Sequence, residues 1–331
     1  MKQRLLGRTG LLVSRLCFGT LTFSPSQANL PVDAAAELLA YASKAGVTFW
    51  DTAEIYDNYA HLRAALRLIS QKPVISTKTY AYSRGQAAAS FDLARRALDL
   101  DVIDIVLLHE QESCRTMDGH REAFAWLLEQ KEKGLVRAVG LSTHAIEPVK
   151  ALAAARFGRA DVWGDIDPGP YREADVVHPL LNKRGIGLLD GSAAQMVQAC
   201  AEAHSAGLGV YGMKMLGGGH LFADFEAAAK FALGLDCCDA FAVGMQSMDE
   251  VDLDVALFNG EPLPPGQLTK TRARQRRLLI GDWCSGCGAC VACCRENALT
   301  LADGRVVVDQ ERCVFCSYCA TACRDFAIKV V

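Results

Sequence analysis

No sign of charge dominates the sequence: 35 lysines and arginines stand against 38 aspartates and glutamates, a net charge of −3. A protein that grips nucleic acid through its phosphates needs a basic surface, so that class is set aside. The opening Met1-Lys2-Gln3-Arg4-Leu5-Leu6-Gly7 lacks the apolar stretch of a secretory leader. No uncharged apolar run approaches the roughly 18 residues of a membrane span. Even Val102–Leu108 is interrupted by Asp104. The expectation is a cytoplasmic protein with neither nucleic acid nor membrane as a partner.

Core-forming material is plentiful. The 331 residues are 51% hydrophobic and 22% charged, which excludes wholesale disorder and suffices for one large domain plus a small one. Apolar β-rich runs predict strands near Leu16–Gly19, Thr48–Asp51, Val74–Lys78, Ile103–His109, Val136–Ser142, Val162–Ile166, Gly207–Lys214 and Ala240–Gly244. Between them, apolar residues at i, i+3, i+4 spacing predict helices over Val32–Ala45, Ala87–Leu98, Arg121–Lys133, Ile146–Ala155, Ala193–Ala206, Glu226–Leu233 and Asp249–Leu257. Eight such units in about 250 residues is the arithmetic of a (β/α)8 barrel. The rival, an open doubly wound sheet, usually carries GxGxxG after its first strand. Here that strand runs into Phe18-Gly19-Thr20-Leu21-Thr22, so the barrel is preferred.

Cysteine divides the chain. Of fourteen, five are scattered (Cys17, Cys114, Cys200, Cys237, Cys238) and nine crowd into residues 284 to 323. Cys284-x-x-Cys287-x-x-Cys290-x-x-x-Cys294 repeats 29 residues later as Cys313-x-x-Cys316-x-x-Cys319-x-x-x-Cys323. In such duplications each half supplies three thiolates, and its fourth cysteine ligates the other half's cluster. The pattern predicts one [4Fe–4S] cluster on Cys284, Cys287, Cys290 and Cys323, and a second on Cys313, Cys316, Cys319 and Cys294. Structural zinc is the bland alternative for any Cys-x-x-Cys pair. Cys293 also has ligand spacing, but Ala322 occupies its place in the second half, and it reads as a spare thiol.

The segment resembles the bacterial two-cluster ferredoxins, with Arg295 and Arg324 in place of the proline usual after each fourth cysteine. Charge there could raise both potentials or be simply solvated. The expected organisation is a barrel over 1–260, a Pro-rich and basic linker or helix over 261–281, and a small α+β ferredoxin-like domain over 282–331. Lys270, Arg272, Arg274, Arg276 and Arg277 of the linker read as a solvated helix or as a docking face for an acidic redox partner.

Polar residues at the carboxyl ends of successive barrel strands carry the chemistry of such folds. Asp51 and Tyr56 follow the second strand, Lys78 ends the third and His109 the fourth. A lysine ammonium beside a phenol favours the phenolate, a buried aspartate orients that lysine, and a histidine can donate to a carbonyl oxygen on which charge develops. Taken singly, each has a structural explanation as a cap or as core. Trp50, Tyr80, Trp163 and Tyr171 either line the mouth, favouring an apolar substrate, or pack.

Residues 1–260 resemble an aldo/keto reductase. Leu6-Gly7-Arg8-Thr9-Gly10, Val13-Ser14-Arg15-Leu16 and Phe18-Gly19-Thr20 are similar to that family's start, and Asp51, Tyr56, Lys78 and His109 fall on its catalytic tetrad. The resemblance implies NAD(P)H-dependent reduction of an aldehyde or ketone with Tyr56 as proton donor. The whole chain resembles the subgroup with a C-terminal two-cluster domain. A dinucleotide would fall on Ser142 and Thr143, on Leu216, Gly217 and Gly218, and on Gly244, Ser247 and Asp254. Thr143 replaces the family's usual asparagine, Met213 its stacking tyrosine and Asp254 another asparagine, and NADP preference is unsupported.

Nicotinamide gives two electrons as hydride and each cluster passes one, so three arrangements are open. The clusters are accessory to hydride transfer, they feed a substrate in the mouth directly, or a flavin that no motif indicates joins the two. A non-enzymatic electron carrier with the barrel as scaffold is a further alternative. Expected partners are a small carbonyl compound and an electron donor or acceptor protein.

Overall fold

The β-rich runs are almost continuously apolar because each strand is covered on both faces, by the barrel interior and by a helix. The computed structural model describes residues 1–159, 161–263, 266, 277–313 and 318–330. The chain opens with an antiparallel hairpin, β1 (Gln3–Leu5) and β2 (Leu12–Ser14). Eight parallel strands then close on themselves: β3 (Leu16–Gly19), β4 (Phe49–Asp51), β5 (Val74–Thr79), β6 (Ile103–Leu108), β7 (Val136–Thr143), β8 (Val176–Pro179), β9 (Gly209–Met213) and β10 (Ala240–Gly244). The ring closes where β10 pairs with β3, from Phe241–Leu16 to Gly244–Gly19.

Among the described residues nine α-helices alternate with these strands: α1 (Val32–Lys44), α2 (Tyr59–Leu66), α3 (Arg84–Leu98), α4 (Cys114–Gly119), α5 (Arg121–Glu132), α6 (Ile146–Arg156), α7 (Ala193–Ser205), α8 (Phe225–Leu233) and α9 (Met248–Asn259). Four start on a serine whose hydroxyl accepts a backbone N–H: Ser83 for α3, Ser113 for α4, Ser192 for α7 and Ser247 for α9. The hairpin closes the amino-terminal end, with Leu6 and Val13 packed on Ile105, Val176 and Tyr211 inside the barrel. At Gly140 the backbone of β7 runs so close to β8 that a Cβ would lie 1.9 Å from the Val176 carbonyl oxygen. No side chain fits there.

One strand is not where the sequence places it. Residues 162–166 are turn, and the sixth barrel strand is Val176–Pro179. Trp163 donates its indole N–H to Ala151 O at 2.8 Å and so pins the segment outside the barrel against α6. Helix α2 was not expected at all.

Residues 277–330 form a small layered unit. Strand Leu278–Ile280 pairs antiparallel with Ile328–Val330, and Leu299–Ala302 with Arg305–Val308. Its core joins Leu278, Leu299, Val306 and Ile328 to Cys290 and Cys319. The 29-residue repeat persists in the backbone, where Asn297 (φ 50°) and Phe326 (φ 47°) occupy equivalent left-handed positions. Asn297 is exposed, whereas Phe326 is buried among Leu180, Ile186 and Leu221 of the barrel loops. Gly187 admits it, since a Cβ there would lie 2.5 Å from the Phe326 ring. Linker residues Lys270, Arg272, Arg274 and Arg276, and ligand candidate Cys316, lie outside the described residues.

Gly140→Ala is expected to destabilise the barrel by about 3 kcal/mol through overpacking between β7 and β8. Urea unfolding would show a lower midpoint at unchanged slope; an unchanged midpoint contradicts the close approach.

Candidate active site

Asp51 is the last residue of β4, and β5 delivers Lys78 beside it. The Lys78 ammonium donates to Asp51 Oδ2 at 2.6 Å and to the Thr52 carbonyl at 2.9 Å, with the two side chains 1% and 5% exposed. Asp51 Oδ1 accepts the Tyr211 hydroxyl at 2.9 Å, and Ser76 Oγ lies 2.8 Å from the same hydroxyl. Both carboxylate oxygens are therefore engaged.

Tyr56 sits in a 3-10 turn, Glu54–Tyr56, which Asp57 ends in a left-handed conformation. Thr52 Oγ1 donates to Asn58 Oδ1, and the Asn58 amide donates to Thr20, so a buried network holds this loop. The Lys78 ammonium is 5.1 Å from the Tyr56 ring centre. The sequence expectation was a lysine that favours the phenolate. Here burial comes first, then the negative charges of Asp51 and Glu110, and together they hold the phenol well above its usual range. The hydroxyl stays protonated.

His109 follows β6 and lies between two aromatic rings. Tyr80 stacks on it with centroids 4.6 Å apart, and Tyr56 meets it edge-on at 5.9 Å. Burial and the Lys78 charge push the imidazole down to about 3, so it is neutral. Its Nδ1 is buried without a hydrogen-bond partner among the described residues. Of the four candidate mouth aromatics, only Tyr80 stands there. Trp50 is core, Trp163 and Tyr171 stack against each other outside the barrel, and the Tyr171 hydroxyl donates to Met117 O.

The sequence reading missed His178, Tyr211, Lys214 and Lys329. His178 is on the true sixth strand, and its Nδ1 meets the Tyr211 carbonyl at 2.6 Å. A carbonyl only accepts, so Nδ1 carries the hydrogen and Nε2, 3.8 Å from Asp51 Oδ1, is bare. A cavity of about 240 Å³ runs from Asp51, Tyr56 and His178 past Met213 and Leu216 to Gly244 and Asp254. Burial pushes the Asp254 carboxyl well above the usual range.

The residues expected to hold a nicotinamide dinucleotide fit in part. Leu216, Gly218, Gly244 and Asp254 line the cavity. Thr143 does not serve it: its hydroxyl donates to Ala145 O and accepts from Ala145 N. Ser142 Oγ is fully buried and accepts the Glu110 N–H. Ser247 Oγ caps α9. Gly217 faces Ile186 and Leu221, and the turn it opens carries the chain's own strand Ile328–Val330. Val330 N donates to Gly218 O at 3.0 Å, and Gly219 approaches Val330 O so closely that a Cβ would lie 2.5 Å away. A pyrophosphate meets that strand rather than an open glycine turn.

In the cysteine-rich unit the amides of Ala298 and Ala327, again 29 residues apart, donate to Cys294 Sγ at 3.3 Å and Cys323 Sγ at 3.4 Å. Amide N–H groups aimed at sulfur suit thiolates of an iron–sulfur cluster, whose charge they stabilise. Cys290 is close enough to Cys323 and Cys284 for their charges to reinforce the upward shift that burial gives its thiol. Cys293 Sγ donates instead to Cys290 O at 3.3 Å. Among the described residues, no three His, Cys, Asp or Glu side chains converge on a single metal ion.

The comparisons with known proteins agree with this geometry. Residues 15–236 match the aldo/keto reductase family, and residues 306–329 match a 4Fe-4S binding domain. An Oryza sativa subsp. japonica protein named as a probable voltage-gated potassium channel subunit beta is 28% identical over 211 residues, 57% of this chain and 62% of that protein. The chain thus spans less than two thirds of that relative's length. The L-galactose dehydrogenase of Arabidopsis thaliana is 23% identical over 279 residues, 77% of this chain and 88% of the relative. A crystal structure from Pseudomonas aeruginosa, assigned as an aldo-keto reductase, superposes with a TM-score of 0.63 at 25% identity, over 78% of this chain and 95% of its own. No helix among the described residues is long and apolar enough to cross a membrane. With a closed (β/α)8 barrel, a buried lysine–aspartate pair at its mouth and a 4Fe-4S binding segment behind it, the chain belongs to the aldo/keto reductase family of oxidoreductases.

Proposed function

We propose that this protein reduces the carbonyl group of a small organic compound in the barrel mouth, with Tyr56 as the proton donor. The observation that carries the reading is the protonated Tyr56 phenol, set over the Lys78–Asp51 pair on a cavity large enough for a small substrate. Converting a carbonyl to an alcohol takes up two electrons and two protons. Tyr56 supplies the proton that reaches oxygen, and Lys78, locked to Asp51, stabilises the phenolate left behind. Neutral His109 keeps one ring N–H, which can donate to the same oxygen as charge develops there.

For the electrons we favour the cysteine-rich unit, proposed to begin after the linker near residue 282. Cys284, Cys287, Cys290 and Cys323 would hold one [4Fe–4S] cluster. Cys313, Cys319, Cys294 and Cys316, the last outside the described residues, would hold the other. When bound, such clusters pass electrons singly; the second proton then comes from water in the open cavity. The engaged Thr143 hydroxyl and the strand laid on Gly218 and Gly219 support this source over hydride. Hydride from NADH or NADPH is the second reading. The cavity's run from Tyr56 to Gly244 and Asp254, and the dehydrogenase named among the relatives, support it.

Protein reconstituted with iron and sulfide under argon separates the two. Turnover of aldehydes with dithionite but not with NADH or NADPH is the expected result; turnover with nucleotide alone, and no cluster bleaching, reverses the assignment. Tyr56→Phe is expected to lower turnover by about 10²–10⁴-fold with iron content unchanged. Cys287→Ala is expected to lose iron, and an undiminished iron content removes the ligand set.

Neutral His109 has a pH signature. Its folded value, about 3, lies below the ordinary 6.5, so the unfolded chain gains a proton first as pH falls. The stability it contributes is present above pH 6.5 and drains away between 6.5 and 3. Relative to His109→Gln, the wild type should lose up to about 1.4 kcal/mol per pH unit in that window. Parallel stability curves for the two proteins would show that folding does not lower the His109 pKa.

A further inference from the structure

The catalytic constellation leaves two lysines in the same cavity unused. Lys214 follows β9, and Lys329 lies in the strand Ile328–Val330 that the cysteine-rich unit lays across the mouth; both line the cavity with Asp51 and Tyr56. Lys214 is held at φ 60°, a left-handed backbone that a non-glycine residue adopts only at a cost. Lys329 is 5% exposed. Their ammonium groups meet at one ring, 5.4 Å and 3.0 Å from the Phe326 centroid, and Lys329 also donates to the Phe326 carbonyl.

Among the described residues no carboxylate lies within 4.0 Å of either nitrogen, because the acids nearby are already engaged. Asp51 is taken by Lys78 and Tyr211. Glu110 accepts the Tyr80 hydroxyl at 2.7 Å, with His144 beside it at 3.7 Å. Taking an ammonium group out of water without an anion beside it is costly; desolvation pushes both lysines below their ordinary range, Lys214 adds repulsion at Lys329, and the Glu110 charge opposes both shifts. Both nitrogens belong to the cavity that also reaches Asp51 and Tyr56.

We propose that Lys214 and Lys329 together bind an anionic group on the substrate, so that the mouth selects small carbonyl compounds carrying a carboxylate or a phosphate. The word substrate rests on the carbonyl-reduction reading; the anion site does not. Recognition is then composite, one lysine from the barrel and one from the cysteine-rich unit, and the pocket is complete only when the two are docked.

Calorimetric titration of the full, iron-loaded chain tests this with four probes: 2-oxobutyrate, its methyl ester, inorganic phosphate and NADH. Wild type is expected to bind 2-oxobutyrate or phosphate, and the tighter of the two identifies the anionic group. Lys214→Met and Lys329→Met should each weaken that binding about tenfold or more, leave the ester unchanged, and keep their iron. Lys329→Arg should retain most of the affinity. Two lysines on separate elements keep the test decisive if one variant disturbs docking. Equal affinity for acid and ester, no binding of either anion, or weakening of NADH alone overturns the proposal. Anion binding that disappears with the lysines supports it even if Tyr56→Phe leaves turnover intact, a result that would remove only the proton-donor reading.

Discussion

The ion pair between Lys78 and Asp51 is the constraint from which the mouth of the barrel is built. Two opposite charges almost wholly removed from water are tolerable only when further hydrogen bonds make up for the lost hydration. The Thr52 carbonyl takes a second ammonium hydrogen, and the Tyr211 hydroxyl takes the second carboxylate oxygen. These demands reach far along the chain. Tyr211 belongs to β9, Asp51 to β4 and Lys78 to β5, so one buried pair ties three strands together. Removing one partner would strand the other charge, at a cost of about 3–5 kcal/mol. Tyr56, His109 and the cavity take their electrostatics from that pair.

The rest of the mouth has been rebuilt around it. Where an extended dinucleotide would need free hydroxyls and a bare glycine turn, Thr143 and Ser142 are committed to neighbouring backbone. The turn at Gly217–Gly219 receives a strand of the same chain. The space left between Tyr56 and Lys214 is small and cationic, which suits a compact polar molecule. The glycine turn is thus packed against the cysteine-rich unit.

Much of this was legible from residue order. The placing of Asp51, Tyr56, Lys78 and His109 at strand ends, the eightfold alternation and the cysteine repeat are local patterns, and local patterns survive without coordinates. The sixth strand was not legible because Val176-Val177-His178-Pro179 is only four residues long and ends in proline. Val162–Ile166, with its tryptophan, looks more like a strand yet is anchored by an indole hydrogen bond to α6. Losing that strand hid His178. Tyr211 was hidden inside an apolar run, its partner 160 residues away. Lys329 reads as an ordinary residue of a terminal strand; only docking places it beside Lys214. Trp50, Trp163 and Tyr171 went the other way, since aromatic residues near strand ends serve packing as readily as recognition. Pairings between distant segments are what a single sequence conceals.

The left-handed pair Asn297 and Phe326 has one more meaning. At this one pair of equivalent positions the two halves of the repeat face different ways: Asn297 is exposed to water, while Phe326 is an aromatic plug packed against the barrel loops. Phe326 N donates to the Cys323 carbonyl, as Asn297 N does to the Cys294 carbonyl, so the turn is the same in both halves and only the side chain differs. The twofold likeness of the repeat therefore conceals an asymmetry, with the Phe326 half packed against Leu180, Ile186 and Leu221 and the Asn297 half turned to solvent at that position.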